Sequence, residues 1–302
     1  MRRRAPLSCV PEMPPQVQEL LGSAASRLAT FSDTPQLDAQ VVLAHIFGRT
    51  RTWLLAHPDL IVDPDQAGRF ESLLRRLEQG EPLPYALGHQ EFFGLDFKLT
   101  PDVLIPRPET ELLVQNAIAW MKGDGQRRTV ADVGTGSGCI AVSIAVQITD
   151  ARVLATDISL PALRVARENA RKLGVADRIE FVECDILPPH SQRLSTEQHL
   201  DLVCANLPYI PTAELHALPV FGREPSLALD GGADGLDPFR RFFSLAPDWM
   251  ASGGLMLLEI EARSGPAVLS LAYDAFHAAA FHLHKDLAGS DRLLEIQLNG
   301  MS

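Results

Sequence analysis

The sequence predicts an α/β protein: a doubly wound, mostly parallel seven-stranded sheet with an antiparallel terminal hairpin, preceded by a small helical N-terminal domain and a β-hairpin linker. Three observations predict it. From Thr129 onward, short apolar runs alternate with segments of helical periodicity, the pattern of βα units around a parallel sheet. A glycine-rich loop, Gly134-Thr135-Gly136-Ser137-Gly138, sits where the first of these runs meets the first of these helices. The last two apolar runs follow one another with no helix between them, which implies an antiparallel pair at the sheet edge.

A chain of 302 residues has room for one or two domains and an ample core. With 46% hydrophobic and 22% charged residues the composition is that of a soluble globular protein. No apolar run reaches the roughly 18 residues a bilayer span requires, so no membrane partner is expected. Residues 1–15 are basic and proline-rich but lack an apolar signal core, and read as a flexible tail. Cys9, Cys139, Cys184 and Cys204 show no CxxC spacing, and three of them lie in apolar runs. Reduced thiols in a cytoplasmic protein fit that distribution. A formal charge of -11 argues against a protein that grips long duplex by its phosphates, so no direct DNA binding is expected. A monomer is expected.

Residues 16–85 carry apolar side chains at helical spacing: Val17, Leu20, Leu21, Ala24 and Leu28, then Leu37, Val41 and Ala44, then Phe70, Leu73, Leu74 and Leu77. Pro35, Pro58 and Pro64 punctuate them. A helical bundle follows, with no catalytic chemistry of its own, and reads as a docking or lid module that recognises the substrate, with a purely structural bundle as the alternative. Residues 86–105 change character. Phe92 to Leu99 is aromatic-rich with Gly94 in its middle, the signature of a β-hairpin. Residues 106–302 form the last domain. Pro106 and Pro108, followed by Glu109 and Glu111, open a helix through Leu112, Leu113 and Val114. The strands are Thr129–Val133, Arg152–Ala155, Ile179–Val182, Leu202–Ala205 and Leu255–Ile260, then the hairpin strands Ala280–His284 and Leu293–Leu298. Between them lie helices over Cys139–Val146, Leu160–Leu173 (capped by Ser159 and closed by Gly174), Asp237–Met250 and a segment carrying Val268, Leu271 and Ala272.

The glycine loop lets backbone approach a ligand with no Cβ in the way. Its spacing departs from the dinucleotide fingerprint, because Cys139 stands where a third glycine would fall, and no Lys-Ser/Thr follows to make a phosphate loop. Asp157 ends the next strand, where an acid can accept from both hydroxyls of a ribose. Asp185, near the end of the third strand, is placed to reach an adenine amino group. These are the parts of a nucleoside pocket without a pyrophosphate cradle, and S-adenosylmethionine fits them better than NAD.

After the fourth strand comes Asn206-Leu207-Pro208-Tyr209. An amide, a proline-locked carbonyl and an aromatic ring suit the capture of a planar group bearing NH₂. Asn206 and the Pro208 carbonyl can each accept one N–H, and Tyr209 can cover the flat face. Arg107, between two prolines, reads as a brace for its loop through an ion pair, with direct contact to the substrate as the alternative. Glu109, Glu111 and Glu224 read as supporting acids. His282 and His284 alternate on one strand, but with no third ligand nearby they read as a solvated face rather than a metal site, and no metal is expected.

These segments together resemble the class I methyltransferases, and more narrowly the protein-(glutamine-N5) methyltransferases of peptide chain release factors. The resemblance rests on Leu104–Glu111, Asp132–Gly138, Asn206–Tyr209 and Glu224–Gly232 with Asp234-Gly235-Leu236, and also on Glu81–Gly88. It spans nearly the whole chain. It implies methyl transfer from S-adenosylmethionine to the side-chain nitrogen of a glutamine in release factors, at their GGQ motif. Gly134, Thr135, Gly136, Ser137, Gly138, Asp157, Asp185 and Asn206 would bind the cofactor. Asn206, Leu207, Pro208 and Tyr209 would bind the glutamine, with Asn206, Pro208 and Tyr209 carrying the catalysis. The family usually has proline where this chain has Leu207. The alternatives are a ribosomal-protein glutamine or the amino group of a nucleic-acid base. No strong general base is evident beside Asn206.

Overall fold

The computed structural model describes residues 14–123, 126–188 and 199–300. Cys9 and most of the expected tail lie outside them. Pro15, within the range given to the tail, is held: its carbonyl accepts from Val62 N–H at 2.9 Å. The chain divides into two compact units, Met1–Leu87 and Gly88–Ser302.

The first unit contains α1 (Val17–Leu28), α2 (Pro35–Phe47), α3 (Arg51–Leu55), α4 (Pro64–Glu78) and α5 (Leu83–Leu87). Pro35 and Pro64 stand in the first turn of their helices, where a missing N–H costs nothing. Gly48 stops α2 in the left-handed region with φ 59°. Leu28, Leu43, Leu54, Phe70 and Leu74 form its core, each almost fully buried. Arg27 ties α1 to α4 through Glu71 at 2.6 Å and Glu78 at 2.7 Å. The five-residue helices α3 and α5 escape a periodicity reading because one turn is too short to show a repeat.

The second unit opens with the hairpin β1 (His89–Phe92) and β2 (Leu95–Lys98), turning through Phe93 and Gly94, both at positive φ. The hairpin is more than a linker. Phe92 and Phe97 are buried in the same core as Val130, Val142 and Leu202. Asn169, fully buried, accepts from Lys98 N–H at 2.7 Å and donates to the carbonyls of Lys98 and Ser137.

There follow α6 (Thr110–Gly123), β3 (Thr129–Val133), α7 (Cys139–Gln147), β4 (Arg152–Asp157), α8 (Leu160–Lys172), β5 (Ile179–Glu183), β6 (Leu200–Ala205), α9 (Thr212–Leu215), α10 (Asp237–Leu245), β7 (Met250–Glu259), α11 (Gly265–Ala275), β8 (Ala280–Lys285) and β9 (Asp291–Gln297). The seven strands lie in the order β5-β4-β3-β6-β7-β9-β8. From β5 to β7 all pairings are parallel, and β9 runs antiparallel to both β7 and β8. Helices cover both faces, which is why the central strands read as unbroken apolar runs. The expected helix Asp237–Met250 is shorter. It ends at Leu245, a tight turn spans Ala246–Asp248, and Met250 already pairs with Leu200. Pro247, within that tight turn, supplies no N–H to continue an α-helix. The sheet winds outward in both directions from β3 and β6, and the crevice beyond their carboxyl ends is where such folds bind ligands.

Candidate functional site

The loop after β3 is held from three sides. Asp132, fully buried in β3, accepts from Thr135 Oγ1 at 2.6 Å and from Ala141 N–H at 3.0 Å, so one carboxylate oxygen pins the loop and the first turn of α7 together. Burial pushes the Asp132 carboxyl up to about 6, against the pull of those two hydrogen bonds. Thr135 N–H donates to the Thr156 carbonyl at 2.8 Å, and Gly136 N–H to Asp157 Oδ2 at 2.9 Å. The other oxygen of Asp157 accepts from Ser159 N–H at 2.8 Å, and desolvation raises the carboxyl's pKa. Gly134 meets the neighbouring loop: a Cβ there would lie 3.6 Å from Leu207 Cδ2.

A cavity of about 190 Å³ lies over this loop, lined by Gly134, Thr135, Gly136, Ser137, Asp157, Asp185 and Asn206 among others. Gly138 does not line it. Its positive φ serves packing instead, since a Cβ there would stand 3.1 Å from Ala166 Cβ on α8. Asp185 faces Arg241 Nε at 3.1 Å on the rim. Ile140, Ile158 and Ile186 make the apolar part of the wall, and burial pushes the Cys184 thiol beside them up to about 11. A carboxylate for hydroxyl donors, loop backbone bare of Cβ atoms and flat apolar walls are the donor set that a nucleoside with a short charged tail requires.

The Asn206–Tyr209 loop borders a second cavity of about 200 Å³, which also touches Arg107, Leu218, Pro219 and Val220. Asn206, Leu207 and Pro208 line both cavities, whereas Tyr209 lines only the second. Burial pushes the Tyr209 hydroxyl up to about 12. Leu207 is 3% exposed and packs on the glycine loop.

Remote segments fix this loop. Gly231 N–H donates to the Ile210 carbonyl, and Ile210 N–H to the Leu229 carbonyl. A Cβ on Gly235 would stand 2.4 Å from the Tyr209 carbonyl oxygen, so only glycine allows the 231–235 segment to lie against it. Glu224, 4% exposed in its side chain, pairs with Arg107 at 2.5 Å and accepts from Ile105 N–H at 3.1 Å. The brace expected of Arg107 is therefore present. Glu111 accepts from Phe93 N–H and supports the hairpin. His282 and His284 stack edge to face, and His284 pairs with Glu295 at 2.7 Å.

Two residues with no role expected from the sequence stand behind Asn206. Thr110, first in α6, donates to Glu259 Oε2 at 2.6 Å, and Asn206 Nδ2 donates to Thr110 Oγ1 at 3.3 Å. Burial pushes the Glu259 carboxyl up to about 7, opposed first by the Thr110 hydrogen bond and then by the charge of Arg292. A glutamate closing the apolar run Leu255–Leu258 is the signal that marks it, since carboxylates are almost never buried without a partner.

The chain is similar to known proteins. Residues 19–88 match the family described as "PrmC N-terminal domain", and residues 110–216 match "Ribosomal protein L11 methyltransferase (PrmA)". The chain is 45% identical to the release factor glutamine methyltransferase of Moorella thermoacetica, over 91% of this chain and 96% of that protein. It is 40% identical to the protein of the same description from Bordetella pertussis, over 86% and 93%. Among solved structures, the hMettl16 catalytic domain in complex with an RNA hairpin overlays with a TM-score of 0.50 at 17% identity, covering 80% of this chain and 83% of that one, a likeness of fold alone. Among the described residues no helix is long and apolar enough to cross a membrane, and no group of three or more side chains could hold a metal ion.

Proposed function

Because the chain belongs to the release factor glutamine methyltransferase family, we propose that the wall shared by the two cavities is where a release-factor glutamine meets the methyl donor. The protein is an S-adenosylmethionine-dependent methyltransferase acting on glutamine in release factors. The observation that carries the assignment of residues is that Asn206, Leu207 and Pro208, with Leu104, Arg107 and Ala228 beside them, line both cavities at once.

The bound cofactor supplies a methyl group made electrophilic by its sulfonium. Gly134 to Ser137 would accommodate its amino-acid end, Asp157 would accept from the ribose hydroxyls, and Asp185 would serve the adenine amino group. In the second cavity, Asn206 Oδ1 and the Pro208 carbonyl accept the two N–H groups of the glutamine, and Tyr209 covers its face. An amide nitrogen is a poor nucleophile because its lone pair is delocalised. Two acceptors aimed at it orient that lone pair and stabilise the positive charge that develops on it as the methyl leaves a neutral thioether behind. The nitrogen then gives up one proton to solvent. Alignment in a dry pocket supplies the rest, and well-oriented reactions gain about 7–11 kcal/mol in this way. The glutamine belongs to the GGQ motif, the helical domain of residues 16–85 recognises the release factor, and the reaction runs in the cytoplasm.

The test is to incubate the protein with labelled S-adenosylmethionine and, separately, a release factor, a ribosomal protein and DNA, and to locate any added methyl by mass spectrometry. Methyl on the release-factor glutamine is expected, and methyl on a nucleic-acid base alone would overturn the reading. Asn206→Ala should lose on the order of 10²–10³ in kcat, by analogy with the loss of one oxyanion-hole donor.

A further inference from the structure

We propose that Thr110 and Glu259 are positioning residues that decide which end of the Asn206 amide faces the glutamine. The inference rests on the reading of Asn206 as the acceptor for the substrate NH₂. The two ends of an asparagine amide are nearly equal in size, so packing does not choose between C=O and NH₂. A hydrogen-bond partner of one-way character can.

Three elements far apart in the chain converge on this amide. Thr110 begins α6, Glu259 ends β7, and both are buried, at 1% and 2% exposure. The Thr110 hydroxyl has one hydrogen, and at 2.6 Å from Glu259 Oε2 that hydrogen is spent on the carboxylate. Its oxygen can then only accept. Whether or not the Glu259 carboxyl carries a proton, its Oε2 can take that hydrogen. The Thr110 oxygen demands a donor, so the NH₂ end of Asn206 turns toward it, as the 3.3 Å contact from Nδ2 to Thr110 Oγ1 records. Oδ1 is left for the shared wall of the cavities. It meets a substrate NH₂ as an acceptor, where a reversed amide would set donor against donor.

Glu259→Gln keeps the shape but adds a donor. Its NH₂ can satisfy the Thr110 oxygen, which frees the hydroxyl hydrogen to attract Asn206 Oδ1 and turn the amide over. With a release factor as substrate, kcat should fall about 10- to 100-fold, the scale set by one mispaired buried polar group. The S-adenosylmethionine affinity, read by calorimetry, should stay within about twofold, and the KM for the release factor should change less than kcat, because this amide is one of many contacts to a protein substrate. Thr110→Val should behave alike, and Thr110→Ser, which keeps the hydroxyl, should recover most of the rate. Glu259→Gln added to Asn206→Ala should cost nothing further, since the amide it orients is gone.

If Glu259→Gln and Thr110→Val both hold kcat within twofold while Asn206→Ala loses it, the positioning role is wrong and the acceptor reading stands. An additive loss in the double variant, or a parallel loss of cofactor affinity, would mark the pair as merely structural and overturn the inference. Retained rate in Asn206→Ala would remove the acceptor reading and this inference with it. Should Glu259→Gln fail to fold, Thr110→Val against Thr110→Ser separates the same two outcomes.

Discussion

The glycine loop after β3 and the Asn206–Tyr209 loop after β6 leave the sheet side by side, with Val133 in register with Ala205, yet they are held by different means. The glycine loop is fixed by near neighbours in the chain and by the adjoining strand: Asp132, Ala141, Thr156 and Asp157. The Asn206 loop is fixed from a distance, by Thr110 on α6, Glu259 on β7, and the 229–235 segment. The difference matches their proposed tasks. Backbone bare of Cβ atoms can line a cofactor site with only local help, because glycine conformations and strand ends supply the geometry. Two acceptors aimed at one nitrogen need a frame that resists rotation, and only remote packing provides it.

The largest effect should come where that frame is tightest. Gly235→Ala drives a Cβ into the Tyr209 carbonyl at a residue with φ 79°, and backbone cannot yield as a side-chain tip does. The left-handed strain and the overpacking together predict a loss of about 2–5 kcal/mol, read by denaturant titration, with methylation falling more than cofactor binding. A loss below about 0.5 kcal/mol, the range of an ordinary surface substitution, would mean the frame is not what holds the turn.

A second test uses pH. Glu259 has its pKa raised from 4.5 to about 7 in the folded chain, so the folded state holds a proton that the unfolded state has released across that window. Its contribution to stability is therefore lost as pH rises from 4.5 toward 7, by on the order of 3 kcal/mol at most. Glu259→Gln removes the titration, and its melting temperature should gain on wild type over that range. Asp132, raised to about 6 by its own burial, pulls in the same direction in both proteins. A constant difference between the two proteins would show that Glu259 keeps an ordinary pKa.

On the cofactor side, Asp157→Ala should weaken S-adenosylmethionine about 10- to 100-fold, as expected for hydrogen bonds to a charged group, and should cost about 1–3 kcal/mol of stability by leaving Gly136 and Ser159 N–H without their acceptor. Unchanged affinity by calorimetry would take Asp157 out of the site and erase the contrast between the two loops. The smallest effect is expected from Arg107→Ala. It leaves Glu224 buried without its cation, but Arg107 is itself 34% exposed, which sets the cost at about 1–2 kcal/mol.

Most of the scaffold is legible along the chain, because its signals are local. Apolar runs mark the strands, Ser159 and Gly174 mark the ends of α8, and the absence of a helix between β8 and β9 marks the antiparallel edge. The departures have local causes too. Pro247 breaks the segment expected as one helix through Met250, and single-turn helices such as α3 and α5 carry no period to detect. Gly138 belongs by spacing to a ligand loop, because a glycine needed for contact with Ala166 looks the same in sequence as one needed for a ligand.

The sequence by itself determined the alternation of strands and helices, the glycine loop, the acid at the end of β4 and the Asn-Leu-Pro-Tyr turn, since each depends on residues within one or two turns of chain. Tertiary structure decided what stands behind Asn206. Thr110 and Glu259 are 149 positions apart and meet only when α6 and β7 come together in the folded sheet. The direction of an amide is set by whichever buried groups the fold delivers to it, and no periodicity or motif records that delivery.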